Sequence, residues 1–491
     1  MSDNSPGQDE AGGQPLTRGY GGGGGGGGRG GEPPPDEPRG PSGRWNDRVA
    51  FARTDEGVPF AYRPRQVLTS GGDRALEIAQ ELYPRVERGP EMTGPFSLLT
   101  GVGNPLLLVE ELRLFGIVAQ PNHVFFAHGA AVPTPLYGSP LYGSPLYGSP
   151  LYGSPLYGSP LYGSPLYGSP LYGSPLYGSP LYGSPAWDNV IEGSKVDGTF
   201  HVQPTRSSAL PPPPKTPTKQ IGSRIQTDLA PGSPTVIVLD TGLAAPPFRP
   251  PLGNGITASS ADTDQPDEDG DGYLDPAAGH GTFIAGVIAQ IAPGCEITLQ
   301  RVMSTFGDCD EATVCAAING LTPADPDRTI LSLSFGGHVL DRPHALARAI
   351  RHARATGIHV VASAGNDATS CRCYPACLPG VVAVGALGPG GPAPFTNYGD
   401  WVNACAPGSD VLSSFFVFDG PAPVGPYGDD PDRFEGWALW SGTSFSAPVV
   451  VGNAARLMMA DGSTAKEALE RLIDGASLTT MPFLGTVVDA L

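Results

Sequence analysis

Three reactive side chains each stand where an apolar segment meets glycine. Asp240 follows Val-Ile-Val-Leu and precedes Thr-Gly, His280 stands in Gly-His-Gly-Thr, and Ser444 stands in Gly-Thr-Ser-Phe-Ser-Ala-Pro. A carboxylate can orient an imidazole, and an imidazole that titrates near neutral pH can take a proton from a hydroxyl and later return it. Each pattern alone is common in a structural role, as a turn former, a buried histidine or a helix N-cap. Together they indicate acyl transfer by an activated serine, with Ser446 as the competing nucleophile.

The elements that must position these side chains can be predicted from the residue pattern beyond residue 221. Short β-branched runs predict buried strands at Thr235–Leu239, Ile297–Val302, Thr329–Ser334, His359–Ala364 and Val381–Ala386. Apolar periodicity predicts helices at His280–Ile291, Asp310–Asn319, His344–Thr356 and Ser444–Met459. The alternation predicts an α/β fold with a mostly parallel sheet and helices on both faces. Asp240 then lies at the carboxyl end of a strand, which is where binding and catalytic sites of such sheets are usually found. Ser444 lies at the start of a helix, whose free N–H groups favour a developing oxyanion.

The order Asp, His, Ser along the chain, with these flanking residues, resembles the subtilisin-like (subtilase, S8-type) serine peptidases over about Ile221–Leu491. The resemblance implies a subtilisin-like fold and a serine endopeptidase that hydrolyses peptide bonds through an acyl-enzyme on Ser444. It also implies that Asp240 orients His280 and that His280 acts as the base. Proteins or peptides are the implied substrates, and no redox cofactor, nucleotide or other required cofactor is implied.

Two further segments resemble the substrate-binding parts of the family. Val-Val-Ala-Ser-Ala-Gly-Asn, which ends at Asn366, is similar to the strand and turn that carry the oxyanion-hole asparagine. Ser-Leu-Ser-Phe-Gly-Gly resembles the edge that pairs with an extended peptide. The substrate-binding residues implied are Ser334, Phe335 and Gly336 on that edge, and Ala362, Ser363, Ala364 and Gly365 on one wall of the primary specificity pocket. The small wall residues imply room for a sizeable apolar P1 side chain.

An acidic segment before His280 resembles a calcium-binding loop. Carboxylates alternate around a turning glycine, as in loops that hold calcium through side-chain oxygens. The candidate ligands are Asp267, Asp269, Asp271 and Asp275. At the twelfth position Ala278 replaces the expected bidentate carboxylate, so a solvated acidic loop without structural calcium is the alternative.

Composition argues against several other classes of function. The chain has 29 Lys and Arg against 48 Asp and Glu, a formal net charge of −19, and no basic cluster of the kind that nucleic-acid binding requires. No apolar run is long enough to span a bilayer. Residues 1–31 contain no apolar segment typical of a secretory signal. These features predict a cytoplasmic protein without a membrane span, unless export uses another route.

Seven cysteines lie between Cys295 and Cys405, and three of them, Cys371, Cys373 and Cys377, are clustered. An odd number leaves at least one thiol unpaired in a monomer. Two interpretations stay open at this point. One is a set of one to three disulfides, which would favour an exported protein. The other is a metal cluster, for which clean zinc spacing is missing.

The N-terminal half differs in composition from the peptidase-like segment at 221–491. Glycine (70) and proline (56) are concentrated there, and residues 1–45 form a Gly/Pro-rich tail that is predicted to be disordered. The linker at 131–220 contains ten tandem copies of Pro-Leu-Tyr-Gly-Ser at Pro135–Ser184, and a second proline-rich stretch at Leu210–Lys219. An extended tether is the simplest interpretation of the repeat. A sticky or cleavable Leu-Tyr array is the alternative.

Residues 46–130 are predicted to form a small α/β domain. The predicted strands are Phe60–Leu68, Phe96–Thr100 and Val118–His128, and the predicted helices are Asp73–Tyr83 and Asn104–Leu114. Asn104 is the expected N-cap of the second helix, with Pro105 at its first position. Ala119–Phe125 is similar to the end of subtilase propeptides. The resemblance implies a monomer whose propeptide-like domain belongs to the same chain.

Two other functions are compatible with the same fold. A catalytically silent peptide-binding module would combine the fold with a disabled site, but here all four catalytic positions carry the expected residue types. A dedicated processing enzyme or transpeptidase for a precursor peptide would use the same triad, so only its products would distinguish it.

Overall fold

The computed structural model describes residues 48–128, 205–206, 229, 232–245, 252, 255–270, 272, 274–419, 433–474 and 478–489. The predicted tail at 1–45 lies outside the described residues, and so does the predicted linker at 131–220 except for residues 205–206. Asp271, one of the four candidate calcium ligands, also lies outside them.

The first described segment, residues 49–128, is an α/β unit that we call the N-terminal unit. Its elements are β1 (Ala50–Arg53), β2 (Pro59–Thr69), α1 (Gly72–Leu82), β3 (Glu87–Arg88), β4 (Ser97–Thr100), α2 (Pro105–Leu114) and β5 (Ala119–Ala127). The strands pair antiparallel in the order β5-β2-β4-β3, with β1 on β2. Its core contains Val67, Leu99 and Leu108. Asn104 caps α2 as predicted, because its side chain accepts a hydrogen bond from Leu107 N at 3.2 Å.

The rest of the described chain alternates strands with helices. Its helices are α3 (His280–Ile291), α4 (Glu311–Asn319), α5 (His344–Ala355), α6 (Thr443–Asp461) and α7 (Ala465–Ile473), with short 3₁₀ turns at Ser260–Asp262 and Pro326–Arg328. Its strands are β6 (Thr205–Arg206), β7 (Thr235–Asp240), β8 (Leu243–Ala244), β9 (Ile256–Thr257), β10 (Thr263–Asp264), β11 (Glu296–Arg301), β12 (Asp308–Asp310), β13 (Thr329–Leu333), β14 (Phe335–Gly336), β15 (His359–Ser363), β16 (Val381–Gly388), β17 (Gly391–Pro392), β18 (Ala404–Pro407), β19 (Val411–Asp419), β20 (Arg433–Trp440), β21 (Thr480–Met481) and β22 (Gly485–Val487). Every strand and helix that the sequence predicted is present, with ends within two residues of the prediction.

A ten-stranded sheet forms the centre of this region. Its strands follow the order β9-β11-β7-β13-β15-β16-β18-β22, and all of these neighbours are parallel. Alternate residues of β7 point to opposite faces: Val236 and Val238 pack in one core with α3 and α6, whereas Ile237 and Leu239 pack in another with α4 and α5. The predicted α/β fold, with a mostly parallel sheet and helices on both faces, is therefore confirmed.

The N-terminal unit shares a sheet with the second half of the chain. Strand β5 pairs antiparallel with β12 and with β14, so the sheet of the unit continues onto two short strands that lie outside the large sheet. Phe125 of β5 is buried in the same core as α4 and α5, and its ring lies 6.3 Å from that of Phe335. This pairing places the end of β5 beside the carboxyl ends of the central strands.

Neither interpretation of the cysteines matches the structure. All seven thiols are free, and among the described residues no cysteine belongs to a group of three or more side chains that could hold a metal ion. Six of the seven are buried, and Cys295, Cys309 and Cys315 pack within the apolar cores. A buried thiol of this kind packs as a small apolar side chain.

Within the part of the chain that the structure describes, no helix is both long enough and apolar enough to cross a membrane.

Candidate active site

Asp240 and His280 are joined directly. Asp240 is the last residue of β7, and His280 is the first residue of α3. The imidazole Nδ1 lies 2.8 Å from Asp240 Oδ1, and both side chains are fully buried. The same carboxylate oxygen accepts a hydrogen bond of 2.8 Å from Thr241 N. The carboxylate therefore holds the imidazole ring in one orientation.

The two glycines around His280 are required by close packing. A Cβ at Gly281 would lie 2.5 Å from the carbonyl oxygen of Gly242, which is a backbone atom that cannot easily move. Gly279 has φ +79°, and a Cβ there would lie 2.3 Å from a ring carbon of Phe415. The missing side chain at Gly281 thus lets the helix that carries His280 approach the turn after β7, and the missing side chain at Gly279 lets it approach Phe415 of β19.

A buried carboxylate braces this approach. Asp264 Oδ2 accepts hydrogen bonds from Thr241 Oγ1 at 2.7 Å and from Gly279 N at 2.8 Å, and Thr241 Oγ1 accepts one from Gly281 N at 3.0 Å. Burial raises the pKa of Asp264 well above its usual value, and these hydrogen bonds offset only part of that effect. Sequence analysis missed Asp264, because nothing in its local sequence separates it from the other aspartates nearby.

An aromatic wall surrounds the rest of the imidazole. The rings of Trp440 and Phe445 lie 5.4 Å from the His280 ring, the first edge-on and the second tilted. Among the described residues, no atom forms a hydrogen bond with His280 Nε2. This nitrogen is therefore available to exchange a proton inside an apolar environment that strengthens electrostatic interactions.

Ser444 is the second residue of α6 and is fully buried. Its hydroxyl donates to Ser334 O at 2.8 Å, and Ser334 Oγ donates to Ser444 O at 3.0 Å. The imidazole of His280 therefore bonds to Asp240, whereas the hydroxyl of Ser444 bonds to Ser334 O rather than to the imidazole. The side chain of Ser446 points toward Gly408 instead. Its Oγ lies 2.1 Å from the position that a Cβ at Gly408 would take.

Two donors meet at one backbone oxygen, that of His128. Asn366 Nδ2 donates to His128 O, and Ser444 N donates to the same oxygen at 3.4 Å. The amide of Asn366 is held in this orientation because its Oδ1 accepts from Thr443 N at 3.0 Å and from Thr443 Oγ1 at 2.9 Å. The structure thus brings the predicted Asn366 and Ser444 to one carbonyl oxygen.

The end of β5 lies in an extended conformation across this site. Ala127 N donates to Gly307 O at 2.8 Å, and His128 N donates to Ser334 O at 3.3 Å. The pairing is antiparallel on both sides, with β12 and with β14. All three predicted edge residues hydrogen-bond or pair with this segment: Ser334, Phe335 and Gly336.

Of the four predicted wall residues, Ser363 contacts the side chain of His128. Ser363 Oγ lies 2.7 Å from His128 Nδ1. Ala362 and Ala364 are buried in apolar cores, and Gly365 N donates to the side chain of the first residue of α6 at 3.1 Å. The sequence analysis assigned no role to His128, although it lies only three residues after the segment that resembled a propeptide end.

Three of the acidic residues before His280 converge. Carboxylate oxygens of Asp267, Asp269 and Asp275 lie within 4.8 Å of one another. Asp275 is nearly buried and accepts hydrogen bonds from Glu268 N at 2.7 Å and from Thr305 Oγ1 at 2.6 Å. Burial raises the pKa of Asp275 to about 6, against the effect of those hydrogen bonds.

Comparison with known proteins identifies the family. The sequence model of the subtilase family of S8 peptidases matches residues 232–481. The chain is 30% identical over 270 residues to thermitase of Thermoactinomyces vulgaris, a match of 51% of this chain and 85% of that protein. It is 31% identical over 214 residues to a thermophilic serine proteinase of Bacillus sp. (strain AK1), a match of 41% of this chain and 48% of that protein. A cold-adapted subtilisin-like serine proteinase of known crystal structure aligns with a TM-score of 0.41 and 25% identity, over 52% of this chain and 88% of that one.

The chain therefore belongs to the subtilase family. It is a serine-type endopeptidase, and its substrates are proteins or peptides. The two alternatives, a silent peptide-binding module and a dedicated precursor-processing enzyme, are not favoured by these relatives.

Proposed function

We propose that the protein hydrolyses peptide bonds through an acyl-enzyme on Ser444, with His280 as the base and Asp240 as its orienter. One observation carries this proposal: a peptide carbonyl, that of His128, accepts hydrogen bonds from both Ser444 N and Asn366 Nδ2. A carbonyl held by two such donors is polarised for attack by the hydroxyl of the same serine.

In the proposed reaction, each proton that leaves one group is taken up by another. Ser444 rotates from Ser334 O toward His280 Nε2 and attacks the carbonyl carbon, while His280 takes the hydroxyl proton. The new oxyanion is held by Asn366 Nδ2 and Ser444 N. His280 then gives its proton to the leaving amine as the C–N bond breaks. A water molecule then attacks the acyl carbon while His280 takes its proton, and His280 returns that proton to Ser444 Oγ as the acyl C–O bond breaks.

We also propose that the first bond cut lies in this chain, between His128 and Gly129. In this proposal the domain predicted at 46–130 is a propeptide that ends at the cut after His128, 131–220 is a tether and 221–491 is the peptidase domain, and a monomer cuts itself. The antiparallel pairing of β5 with β12 and β14 supports the assignment, because extended peptide substrates bind proteases by strand addition.

A fluorophosphonate probe tests the nucleophile, because it reacts with activated serines only. We expect the probe to label Ser444, and we expect Ser444→Ala to lose labelling and to lower kcat on a peptide substrate by about 10⁶-fold, as the loss of the same group does in subtilisin. Ser446→Ala is the matched control, since this buried serine lies on the same helix, and it should keep both labelling and turnover. Peptide mapping that places the label on Ser446, or turnover by Ser444→Ala close to wild type, would refute the assignment.

We propose in addition that Asp267, Asp269 and Asp275 hold a structural calcium ion. Their oxygens lie close enough together to fit one ion at the usual Ca–O distance of about 2.4 Å. Calcium at about 100 times its Kd should then stabilise the fold by about 2.7 kcal/mol. Thermal unfolding in calcium and in chelator measures this shift, which Asp269→Asn should abolish. Asp73→Asn, an exposed change in the N-terminal unit, is the control, and equal melting of the wild type in both buffers would contradict the proposal.

A further inference from the structure

The side chain of His128 fills a closed polar pocket. The residue is only 2% exposed. Its Nδ1 lies 2.7 Å from Ser363 Oγ, and its Nε2 lies 3.8 Å from Cys373 Sγ. Both ring nitrogens therefore face a polar partner, whereas the sequence analysis expected an apolar side chain at this place.

The walls of the pocket leave little room around the ring. A Cβ at Gly336 would lie 2.6 Å from His128 Cε1 and 2.9 Å from Cys373 Sγ. Cys373 is held in place by the backbone of Tyr374, which pairs with Gly337, the residue after β14. Gly337 N donates to Tyr374 O at 3.0 Å, and Tyr374 N donates to Gly337 O at 2.9 Å. The cysteine-containing loop at 371–378 thus closes one side of the pocket.

We propose that this pocket makes the peptidase selective for histidine at P1, with Ser363 and Cys373 as the specificity-determining residues. The inference rests on the proposed function, because His128 is the P1 residue only if its carbonyl is the one that Ser444 attacks.

A neutral imidazole satisfies both partners. Ser363 can donate its hydroxyl proton to Nδ1, while Nε2–H donates to the sulfur of Cys373, so no polar group is left without a partner. A phenylalanine at P1 would bury the Ser363 hydroxyl without its acceptor, and a lysine would bury a charge. A site that hydrogen-bonds its substrate rejects analogues that lack the bonding group.

The electrostatic surroundings also favour the neutral ring. The groups that face it are His280, His338, Asp367 and the thiol of Cys373. Burial lowers the pKa of His128 to about 4, Asp367 opposes this effect, and His280 and His338 add to it. A histidine in a free peptide titrates near 6.5. Between about pH 6.5 and 4 the free substrate therefore carries a proton that the bound substrate lacks, so binding weakens as the pH falls.

Peptides of the form Val-Phe-Phe-Ala-X, each with a fluorogenic leaving group, test this selectivity on the full-length protein after self-processing. At pH 8 we expect kcat/KM to be about tenfold or more higher for X = His than for Phe or Gln, and lowest for Lys. The ratio of His to Gln should fall about tenfold per pH unit below 6.5. Titration of the enzyme cancels in this ratio, because both substrates meet the same active site.

Two variants test the specificity-determining residues. Ser363→Ala should lower kcat/KM for the histidine substrate about tenfold and raise it for the phenylalanine substrate, because the hydroxyl that phenylalanine would bury without an acceptor is gone, and Cys373→Ala should raise phenylalanine relative to histidine by widening the pocket. Ser332→Ala, a buried serine of β13, is the matched control and should keep the wild-type ratio.

Fluorophosphonate labelling of Ser444 separates this inference from the function beneath it. Full labelling with equal kcat/KM for His and Phe, or with a ratio that Ser363→Ala does not change, overturns the histidine pocket and leaves the peptidase mechanism intact. Failure of Ser444 to label in the wild type overturns both.

Discussion

Ser444 illustrates which parts of a site a local sequence can and cannot predict. The residues around Ser444 predict its position at the start of an apolar helix. In the same way the local sequence predicts that a strand ends near Asp240 and that a helix begins at His280, between two glycines. The direction of the Ser444 hydroxyl does not follow, because the acceptor, Ser334 O, lies 110 residues earlier in the chain. The brace at Asp264 is likewise invisible, since it forms only when the turn after β7 and the start of α3 come together.

Substitution of Gly281 tests how closely the start of α3 must pack against the turn after β7. Gly281→Ala places a methyl group 2.5 Å from Gly242 O, so the start of α3 must move and carry His280 with it. A misplacement of about 1 Å at a catalytic group costs about 10² in rate. We expect kcat/KM on a peptide substrate to fall by about that factor, while circular dichroism still reports a folded chain.

Gly390→Ala is the matched control, because no non-neighbouring atom of the described residues lies within 4 Å of the Cβ it would add. It should leave the rate unchanged. Wild-type rates in Gly281→Ala would show that the turn and the helix can separate without consequence, and would contradict the close-packing account.

At the scale of elements, the start of α4 fastens the N-terminal unit to the remainder of the protein. Glu311, the first residue of α4, is fully buried. Its carboxylate accepts hydrogen bonds from Gln120 Nε2 at 2.5 Å and from Leu346 N at 2.9 Å, and it lies 2.7 Å from His123 Nδ1. Two of these three partners belong to β5, so the carboxylate links the unit to the starts of α4 and α5.

Glu311→Gln should loosen this attachment. Breaking a buried, hydrogen-bonded pair costs about 3 kcal/mol or more, which corresponds to a loss of affinity of about 10²-fold. After processing, dilution should release the N-terminal unit and raise the peptidase activity per molecule. On dilution, Glu311→Gln should therefore show this rise in activity per molecule at a protein concentration about 100-fold higher than the wild type does.

Glu470→Gln provides the comparison, since Glu470 is exposed and pairs with Lys466 on α7, where an ion pair contributes little. Its dilution curve should match that of the wild type. Superimposable curves for all three proteins would show that Glu311 does not hold the unit.

The elements that the sequence predicted are stabilised mainly by their own residues, whereas most of the missed elements depend on distant parts of the chain. The central strands and long helices are specified by their own residues, so their ends were predicted within two residues. Strands β12 and β14 are three and two residues long, and they form by pairing with the distant β5. Strands β19 and β20 contain a bulge between Ser414 and Val417, which breaks the alternation that predicts a strand. Helix α7 carried a readable signal, the capping box of Thr464 and Glu467, which the sequence analysis overlooked.

At the scale of the whole molecule, the chain places part of itself in the proposed active site. Strand β5 lies between β12 and β14, and the carbonyl that follows it accepts hydrogen bonds from Asn366 Nδ2 and Ser444 N, the proposed oxyanion donors. The local sequence hinted at a propeptide end, but only the folded arrangement identifies which carbonyl is held. The charge, the repeat and the composition of the N-terminal half carry no information on this point.

The central claim is that the carbonyl of His128 lies where Ser444 attacks. Intact-mass analysis of the purified full-length protein, with N-terminal sequencing of its fragments, tests it most directly. The account predicts two fragments, one that ends at His128 and one that begins Gly-Ala-Ala-Val at Gly129, and an uncut chain in Ser444→Ala. A wild-type chain that stays whole, or a cut at another bond, would contradict it.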